Sequence, residues 1–355
     1  MKTRTSIAMF VTVAFMLTSC GAGGTEGAAE EGEDLVIDGQ TIATEELLEQ
    51  AREEGTFTFY TASGESGEQF LLDEFEELTG ISGEVIRIVP SRLNERALSE
   101  HASNQLAADV IRTSGWDMID ELAESGVFQE VELPDDFDFP EEFIHDDGLY
   151  YTSYNRPYLM GYNEMEHEGE APTSWNDLLE MGPGGVVEIT ASGTSQELVR
   201  FQREELGDDW VEEQASSDVR VFDSASPLTD AMARGEIVAG PVPSTVGLAA
   251  ADEGAPIAMI APDEGFPVNQ VVIGLTSQAS NSAAAQVFIN WTLSTEGQSF
   301  ATEVGDYPVN AEVGLPALGD TELPPLDDER VWTISKDDYL ENYQEDADFW
   351  HGLFN

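Results

Sequence analysis

Positive charge is scarce in this sequence. Its 355 residues contain 14 lysines and arginines against 71 aspartates and glutamates, which gives a formal net charge of −57. A surface of this charge repels phosphates and anionic headgroups, so nucleic acid is excluded as a partner and the bare membrane surface is unfavourable. Self-repulsion weakens at ~1 M salt, where the Debye length is ~3 Å. The composition therefore indicates a saline habitat.

Cysteine and histidine are also rare. The single cysteine, Cys20, leaves no possibility of a disulfide within one chain. The histidines show no HExxH pattern and no His/Cys metal spacing; they are His101, His145, His167 and His351. His145-Asp146-Asp147 could hold a metal but is better explained as a solvated loop. We therefore predict no metal and no cofactor.

No catalytic motif stands out. A P-loop is missing, and Gly64-Glu-Ser-Gly67 lacks the glycine spacing of a nucleophile elbow. The carboxylates are too numerous for any pair to be singled out as an acid/base dyad. We predict that the chain is not an enzyme. An extracellular hydrolase that uses two of the 71 acids stays open as an alternative.

The N-terminus carries a targeting signal. Lys2 and Arg4 precede an apolar run, Ile7 to Leu17, which is shorter than the ~20 residues that cross a bilayer. Leu17-Thr-Ser-Cys20 resembles a bacterial lipoprotein cleavage site. We predict a signal peptide over 1–19, diacylglyceryl modification of Cys20 and a flexible tether over 20–44. An ordinary secretory signal with a chance cysteine is the alternative.

Strand and helix patterns alternate from Thr56 onwards. A strand at 56–60 is followed by a helix from about Ser66 to Gly80, and further strands are predicted at 84–89, 108–111 and 186–190. Other helices are predicted after Gly115, at 175–179, after Ser195 and at 283–293. This alternation predicts an α/β fold with a mostly parallel sheet. The length beyond the signal exceeds the ~250–300 residues of one core, so two lobes are expected.

Three predicted strands are each followed by a small polar turn and a helix start. Ligands of open α/β sheets bind at such turns, and free N–H groups there favour anionic or hydroxylated ligands. Ordinary helix capping is the alternative. The turns supply these candidate ligand-binding residues: Ser63, Gly64, Glu65, Ser66; Arg112, Thr113, Ser114; and Ser192, Gly193, Thr194, Ser195.

Two arginines and a tyrosine-rich run complete the candidate site. Arg112 follows a predicted strand, and Arg156 lies in the run that contains Tyr150, Tyr151 and Tyr154. Each arginine can bind a carboxylate or phosphonate through two hydrogen bonds. Tyr151 and Tyr154 are predicted to line a cleft. The alternatives are surface arginines paired with acids and tyrosines that pack in a strand.

Several motifs in this order resemble the extracellular solute-binding proteins of ABC importers, within them the ferric-iron and phosphonate group. The likeness covers about residues 56–310. The motifs that carry it are Tyr60-Thr-Ala-Ser63, Phe75 to Ile81, Ala108-Asp-Val110, Leu122 to Phe128, Gly161-Tyr-Asn163, Ala171-Pro-Thr-Ser-Trp-Asn-Asp-Leu-Leu179, Ser192 to Ser195, Ala233-Arg-Gly-Glu236, Gly254-Ala-Pro256 and Leu293-Ser-Thr-Glu-Gly-Gln298.

The resemblance implies a two-lobed periplasmic-binding-protein-like fold, with hinge crossover strands and a cleft between the lobes. Residues 45–152 and 266–310 would form the first lobe, 156–262 the second, and 311–355 a C-terminal helical segment that packs on the lobes. It also implies a monomer outside the cell membrane, anchored by lipid only. This monomer would deliver a small solute to a permease and its ATPase.

One departure from the family pattern bears on the solute. Ferric-binding members usually carry a tyrosine pair shortly after the Gly-Glu motif, but the residues after Gly235-Glu236 include no tyrosine up to Thr245. Ferric iron prefers hard anionic oxygen ligands. We therefore expect an oxygen-rich or anionic organic solute. Ferric iron bound by Tyr150, Tyr151 and Tyr154, or a sensory lipoprotein with the same fold, remain alternatives.

Overall fold

The structure is a computed structural model, and it describes residues 32–354. The predicted signal peptide, Cys20 and the first part of the tether lie outside the described residues. Within residues 32–354, no helix has the length and apolar character needed to cross a membrane.

The described chain alternates strands and helices. The strands are β1 (Leu35–Ile37), β2 (Gln40–Ala43), β3 (Phe57–Thr61), β4 (Gly83–Arg87), β5 (Val110–Thr113), β6 (Phe128–Gln129), β7 (Ile144–His145), β8 (Tyr150–Asn163), β9 (Gly184–Val187), β10 (Val219–Phe222), β11 (Ala239–Pro243), β12 (Ile257–Ile260), β13 (Phe266–Thr276), β14 (Ala317–Leu318), β15 (Thr321–Glu322) and β16 (Val331–Trp332). The helices are α1 (Glu45–Glu54), α2 (Glu65–Thr79), α3 (Pro90–Ala102), α4 (Trp116–Glu124), α5 (Trp175–Glu180), α6 (Gly193–Phe201), α7 (Asp208–Ser216), α8 (Ala225–Ala233), α9 (Ser244–Asp252), α10 (Ser282–Leu293), α11 (Thr295–Glu303) and α12 (Lys336–Phe354).

A large sheet runs through both lobes, in the order β10-β9-β11-β8-β13-β5-β3-β4. The first lobe contains the parallel group β4-β3-β5, and the second contains the parallel group β10-β9-β11. The long strands β8 and β13 pair antiparallel with each other and pass between the groups. The prediction of parallel pairing is confirmed within each group, and it is wrong at the centre, where the chain crosses between lobes in both directions.

The sequence of helix α2 explains how this helix packs in the first lobe. Its buried positions include Leu72 and Phe75, and it ends where Gly80 adopts the left-handed conformation (φ 73°) that glycine tolerates. Phe75 packs edge-to-face on Phe57 of β3 and on Phe288 of α10, with ring centroids 6.1 and 5.2 Å apart. These aromatic contacts hold α2 and α10 on one face of the sheet, so the N-terminus of α2 is fixed at the end of β3.

The sequence of helix α5 likewise explains where this helix begins and how it packs in the second lobe. Ser174 caps it and forms a capping box with Asp177. Trp175 is buried and packs on Phe201 of α6, at a centroid distance of 6.0 Å, and its indole N–H donates to the Gly265 carbonyl. Helix α6 is therefore packed against the core, with its start at the end of β9.

Two boundaries differ from the prediction. Residues 35–43, expected within the tether, form a β1–β2 hairpin whose Leu35 and Ile42 are buried against the first lobe, where the Ile42 carbonyl accepts from Asn290. Only the later part of 311–355 is a long helix, α12, preceded by a 3₁₀ turn at 311–313 and short strands. The other lobe boundaries remain predictions.

Helix α12 crosses from one lobe to the other. Near its start, Tyr339 packs on the first-lobe helix α4 and donates a 2.7 Å hydrogen bond to Asp117. Near its end, Trp350 packs on residues around β9 and α6, and Asp346 forms an ion pair with Arg203. The C-terminal segment thus packs on both lobes.

Candidate functional site

Two pockets lie between the lobes, at the carboxyl ends of the parallel strands. The first, the inner pocket, has a volume of about 80 Å³ and is lined by residues that include Ser63, Ser114 and Ser192. The second, the outer pocket, has a volume of about 890 Å³ and lies between α2 and α11 on one side and α8 and α9 on the other. Both are lined by Ser63, Gly64, Arg156, Ser226 and Val246, so they share a wall.

The inner pocket is lined by helix starts. The residues that open α3 and α8 and the residues that precede α2, α6 and α9 all line it. In the described chain, the N-cap residues of α2, α8 and α9 make no side-chain capping hydrogen bond. The first N–H groups of a helix lack partners within that helix. They carry the positive end of the helix dipole, so these helix starts favour an anion in the inner pocket.

The side chains of the inner pocket strengthen this preference. Arg87 and Arg156 line it, and among the described residues around it there is no aspartate or glutamate. Arg87 lies at the end of β4, is half-buried and forms no salt bridge in residues 32–354. The hydroxyl-bearing residues are Ser63, Thr113, Ser114, Tyr158, Ser192, Thr194, Ser195, Ser224 and Ser226. In a chain with 71 acids, the described lining of this pocket has two arginines, one of which pairs with Asp306, and is rich in hydrogen-bond donors.

Arg156 is held in place by a buried carboxylate. Its Nη2 and Nε atoms donate to the two carboxylate oxygens of Asp306, at 2.8 and 3.1 Å. Burial has the largest single effect on the pKa of Arg156 and would lower it, but the charge of Asp306, the hydrogen bond with Asp306 and the charges of Tyr154 and Glu68 together outweigh burial. The pKa is raised, so Arg156 stays protonated. Its Nη1 atom makes only a long 3.4 Å contact with Ser63 Oγ. Nη1 is therefore a charged donor available to a ligand in the cleft.

Tyr154 connects Arg156 with the turn after β3. Its hydroxyl accepts from Arg156 Nη2 at 3.1 Å and shares a 2.6 Å hydrogen bond with Ser63 Oγ. Burial raises the pKa of Tyr154, so the phenol keeps its proton at physiological pH. Because the hydroxyl has a partner on each side, Tyr154 fixes Ser63 and Arg156 relative to each other.

Arg112 lies beneath the outer pocket and is fully buried. Its Nη1 donates to Glu68 of α2 at 2.5 Å, and its guanidinium carbon lies 5.2 Å from the ring centroids of both Phe59 and Tyr154. Its Nε and Nη2 atoms have no hydrogen-bond partner in the described chain. Glu68 also accepts from Thr61 Oγ1 at 2.8 Å. This ion pair neutralises the floor of the outer pocket and ties α2 to β5.

The structure brings most of the predicted site residues together. Ser63, Gly64, Glu65, Ser66, Arg112, Tyr154 and Arg156 line the outer pocket, and Thr113, Ser114, Ser192, Thr194 and Ser195 line the inner one. Gly193 lies behind Ser192 and packs against Gly115. The alternative is wrong in placing the arginines on the surface, because Arg112 and Arg156 are both buried. Its pairing with acids is present, since Arg112 pairs with Glu68 and Arg156 with Asp306.

Tyr151 is the exception. It lies in the core of the first lobe and donates its hydroxyl proton to the Val131 carbonyl. Tyr150 is also buried and contacts Lys336, 3.2 Å from its hydroxyl. Successive side chains of a strand point to opposite faces, so Tyr150 and Tyr151 leave β8 in different directions. Neither side chain lines the inner or the outer pocket. The expectation that Tyr151 binds the ligand is thereby corrected.

Sequence reasoning missed several polar residues of the two pockets. Arg87 ends a predicted strand, as Arg112 does, and could have been found by that signal. Ser224 and Thr245 follow strands β10 and β11, in the same strand–turn–helix arrangement that marked the other turns. Glu68 and Asp306 are single acids among 71, and nothing in the sequence distinguishes them.

The described residues offer no clear metal centre. In residues 32–354, no group of three or more histidines, cysteines, aspartates and glutamates could hold a metal ion. Of the three tyrosines considered for iron, only Tyr154 lines a pocket. The donor set fits hydrogen bonding to an anion better than coordination of a hard cation.

The fold is that of two-lobed binding proteins, and solved structures share it. The substrate-binding protein of an ABC transporter from Agrobacterium tumefaciens has a TM-score of 0.71 at 14% identity, covering 83% of this chain and 94% of that one. AfuA from Actinobacillus pleuropneumoniae, with fructose-6-phosphate bound, has a TM-score of 0.66 at 18% identity, covering 84% and 98%. Iron-bound HitA from Pseudomonas aeruginosa has a TM-score of 0.66 at 19% identity, covering 84% of this chain and 99% of that one.

The family itself is shown by sequence. Residues 107–332, more than half of the chain, match the model of the bacterial extracellular solute-binding proteins. The chain belongs to this family. No match was found among the curated proteins.

Proposed function

We propose that this protein is the solute-capturing subunit of an ABC importer, and that it binds a small organic solute through an anionic group held in the inner pocket. The main support for this proposal is the composition of that pocket, where Arg87 and Arg156 are present and carboxylates are absent from the described lining. The rest of the chain is strongly acidic. A site whose described lining has no carboxylate, in a protein that is otherwise strongly acidic, is best explained by an anionic ligand.

The geometry supports capture of the anion between the lobes. Arg156 Nη1 and Arg87 supply charged donors, and the starts of α2, α6 and α8 supply N–H groups from both lobes. Asp306 holds Arg156 through its other two nitrogens, so little side-chain entropy is lost on binding. A ligand that needs donors from both lobes favours their closure.

The transport role rests on the family and on the N-terminal signal. A lipid on Cys20 would hold the protein at the membrane and raise its effective concentration near a permease. In this scheme the protein acts as a monomer outside the cell, hands its solute to the permease and its ATPase, and releases it chemically unchanged. The fructose-6-phosphate bound in AfuA, a protein of the same fold, agrees with an anionic solute.

Calorimetric titration in ~1 M KCl tests the proposal, with inorganic phosphate, fructose 6-phosphate, methylphosphonate, citrate and ferric citrate as probes. We expect a phosphate, phosphonate or carboxylate to bind, and Arg87→Gln to weaken that binding tenfold or more. Arg87 has no ion-pair partner among residues 32–354, so its substitution leaves no carboxylate of the described chain unpaired.

The matched control is Arg220→Gln, which makes the same change of charge at a largely exposed arginine of β10. It should leave the affinity within about twofold, because Arg220 lines neither pocket. Binding that survives Arg87→Gln unchanged would contradict the anion site. Binding of ferric citrate with no response to any other anion would favour the iron alternative.

A further inference from the structure

The outer pocket is far larger than a charged headgroup requires. The inner pocket, at about 80 Å³, has space for a group of a few heavy atoms. The outer pocket, at about 890 Å³, lies within the ~300–1,000 Å³ range of pockets that bind drug-sized molecules. Both are lined by Ser63 and Arg156. A ligand whose anionic group contacts Arg156 can therefore extend into the outer pocket.

The walls of the outer pocket are largely apolar. Phe70 and Leu71 come from α2, Leu248 from α9, and Phe300 from α11. Phe70 is 41% exposed and meets Phe300 edge-to-face, with the ring centroids 5.7 Å apart. Of the large hydrophobic side chains that are exposed in residues 32–354, Phe70 is the one that lines either pocket.

An exposed aromatic side chain is unfavourable on this surface unless something covers it. Leaving apolar area in water costs about 25 cal/mol per Å². Phe70 and Phe300 meet edge-to-face, an arrangement to which a further aromatic or apolar group can add.

The mouth of the outer pocket disfavours a second anionic group. Glu65, Asp252 and Glu303 line it, and all three are exposed. None of them forms a salt bridge within the described chain. Their charges repel an anion that enters the outer pocket, so the anionic group of a ligand is directed towards the inner pocket.

We infer that the solute is an organic anion with one anionic group and an apolar, ring-bearing body. The anionic group enters the inner pocket, and the body packs against Phe70 and Phe300 in the outer pocket. The inference rests on the proposed function, because it takes the anion at Arg156 as given. It distinguishes this solute from inorganic phosphate, from a bare metal ion and from polyanions such as citrate.

Paired probes that differ only in the body test the inference. The affinities of methylphosphonate and phenylphosphonate, and of acetate and benzoate, are measured by calorimetry in ~1 M KCl with the full-length chain. In each pair whose headgroup binds, we expect the ring-bearing probe to bind at least tenfold more tightly. Phe70→Ala should reduce this advantage about threefold or more, while the affinity for the small probe stays within twofold.

Val221→Ala is the matched control, because Val221 is an exposed apolar residue of β10 that lines neither pocket. It should leave both affinities unchanged. Phe70 is exposed, so its substitution does not threaten folding. Equal affinities for small and ring-bearing probes would overturn the inference and leave the anion site standing. No binding of either headgroup class would overturn the proposed function together with the inference.

Discussion

The backbones of Gly115 and Gly193 are in contact across the cleft. A Cβ atom on Gly193 would lie 2.0 Å from the Cα of Gly115 and 2.3 Å from its nitrogen, closer than any real Cβ contact. Gly115 precedes α4 in the first lobe, and Gly193 opens α6 in the second. The two lobes therefore meet at one edge of the inner pocket through glycines, and a side chain on Gly193 would force them apart.

Gly193→Ala should weaken ligand binding by opening that edge. The added methyl group meets backbone atoms, which cannot move aside as a flexible side chain does, so the lobes must separate or the turn must distort. Overpacking of this kind costs about 1–3 kcal/mol. The checks are thermal unfolding and the radius of gyration from small-angle X-ray scattering, with a lower unfolding midpoint and a larger radius expected.

Gly352→Ala is the control for this prediction. Gly352 lies within α12, and a Cβ there would meet nothing within 4 Å. Alanine should stabilise the helix by about 0.5–1 kcal/mol through its higher propensity. An unchanged radius, midpoint and affinity in Gly193→Ala would show that the two lobes do not need this contact.

Asp306→Asn should destabilise the protein far more than the loss of an exposed acid. The substitution leaves the buried Arg156 charge without its carboxylate, which typically costs about 3–5 kcal/mol. Glu236→Gln breaks the exposed pairs with Arg220 and Arg234, and should change the free energy of unfolding little, because water screens both pairs. Urea unfolding of both variants measures the difference.

A second variant separates charge from packing. Arg156→Met combined with Asp306→Asn removes both buried charges, so it should recover part of the stability that Asp306→Asn loses. Similar losses in Asp306→Asn and Glu236→Gln would mean that the Arg156–Asp306 pair is not a structural anchor of the site.

Glu197 should make the protein less stable as the pH rises. It is buried in α6, where it accepts a hydrogen bond from Asn269, and burial raises its pKa from 4.5 to about 8, with a further contribution from Asp117. Between those pH values the unfolded chain releases the proton while the folded chain keeps it. The free energy of unfolding therefore falls from about pH 4.5 to pH 8, by a few kcal/mol at most.

Glu197→Gln should remove this dependence, because glutamine stays neutral and still accepts from Asn269. Relative to wild type, the variant should gain stability between pH 5 and pH 8 in urea unfolding. Glu213→Gln, at an exposed position of α7, is the control and should show no such gain. A difference from wild type that is the same at both pH values would refute the assignment to Glu197.

Salt should stabilise this chain strongly. The net charge of −57 opposes the compact state, and screening of exposed charges increases as the Debye length falls from ~10 Å at 0.1 M to ~3 Å at 1 M. The unfolding midpoint should rise steeply with KCl over this interval and more slowly above it. Sucrose, which does not screen charge, is the control. A midpoint independent of KCl would contradict the saline habitat.

The local elements of the site were predictable from the sequence. The helix that follows Tyr60-Thr-Ala-Ser63 was predicted from about Ser66 to Gly80 and is found at Glu65–Thr79. Its signals are a small polar turn, an apolar face and a terminal glycine, all of which act within a few residues. The same signals at Ser224 and Thr245 were present but were not used. Helices α1, α3, α7, α8, α9 and α11 were not predicted from the sequence.

The partners of the arginines could not be predicted. Arg156 pairs with Asp306 across 150 positions of sequence, and Arg112 pairs with Glu68 across 44. All 71 acids of the chain carry the same charge, so charge alone cannot identify Asp306 and Glu68 as the partners. The direction of Tyr151 was equally hidden, because a fully buried strand such as β8 shows no alternation of polar and apolar residues.

The sequence alone determined the acidic surface, the alternation of strands and helices, and the small polar turns that begin the helices, since each depends on composition or on residues close along the chain. The tertiary structure decided which turns meet, which acids become buried and which arginines line the inner pocket. Those outcomes depend on β8 and β13 carrying the chain between lobes, which brings Arg87, Arg156 and Ser192 to one cleft. The chemistry of the site therefore depends on residues that are far apart in the sequence and close together in space.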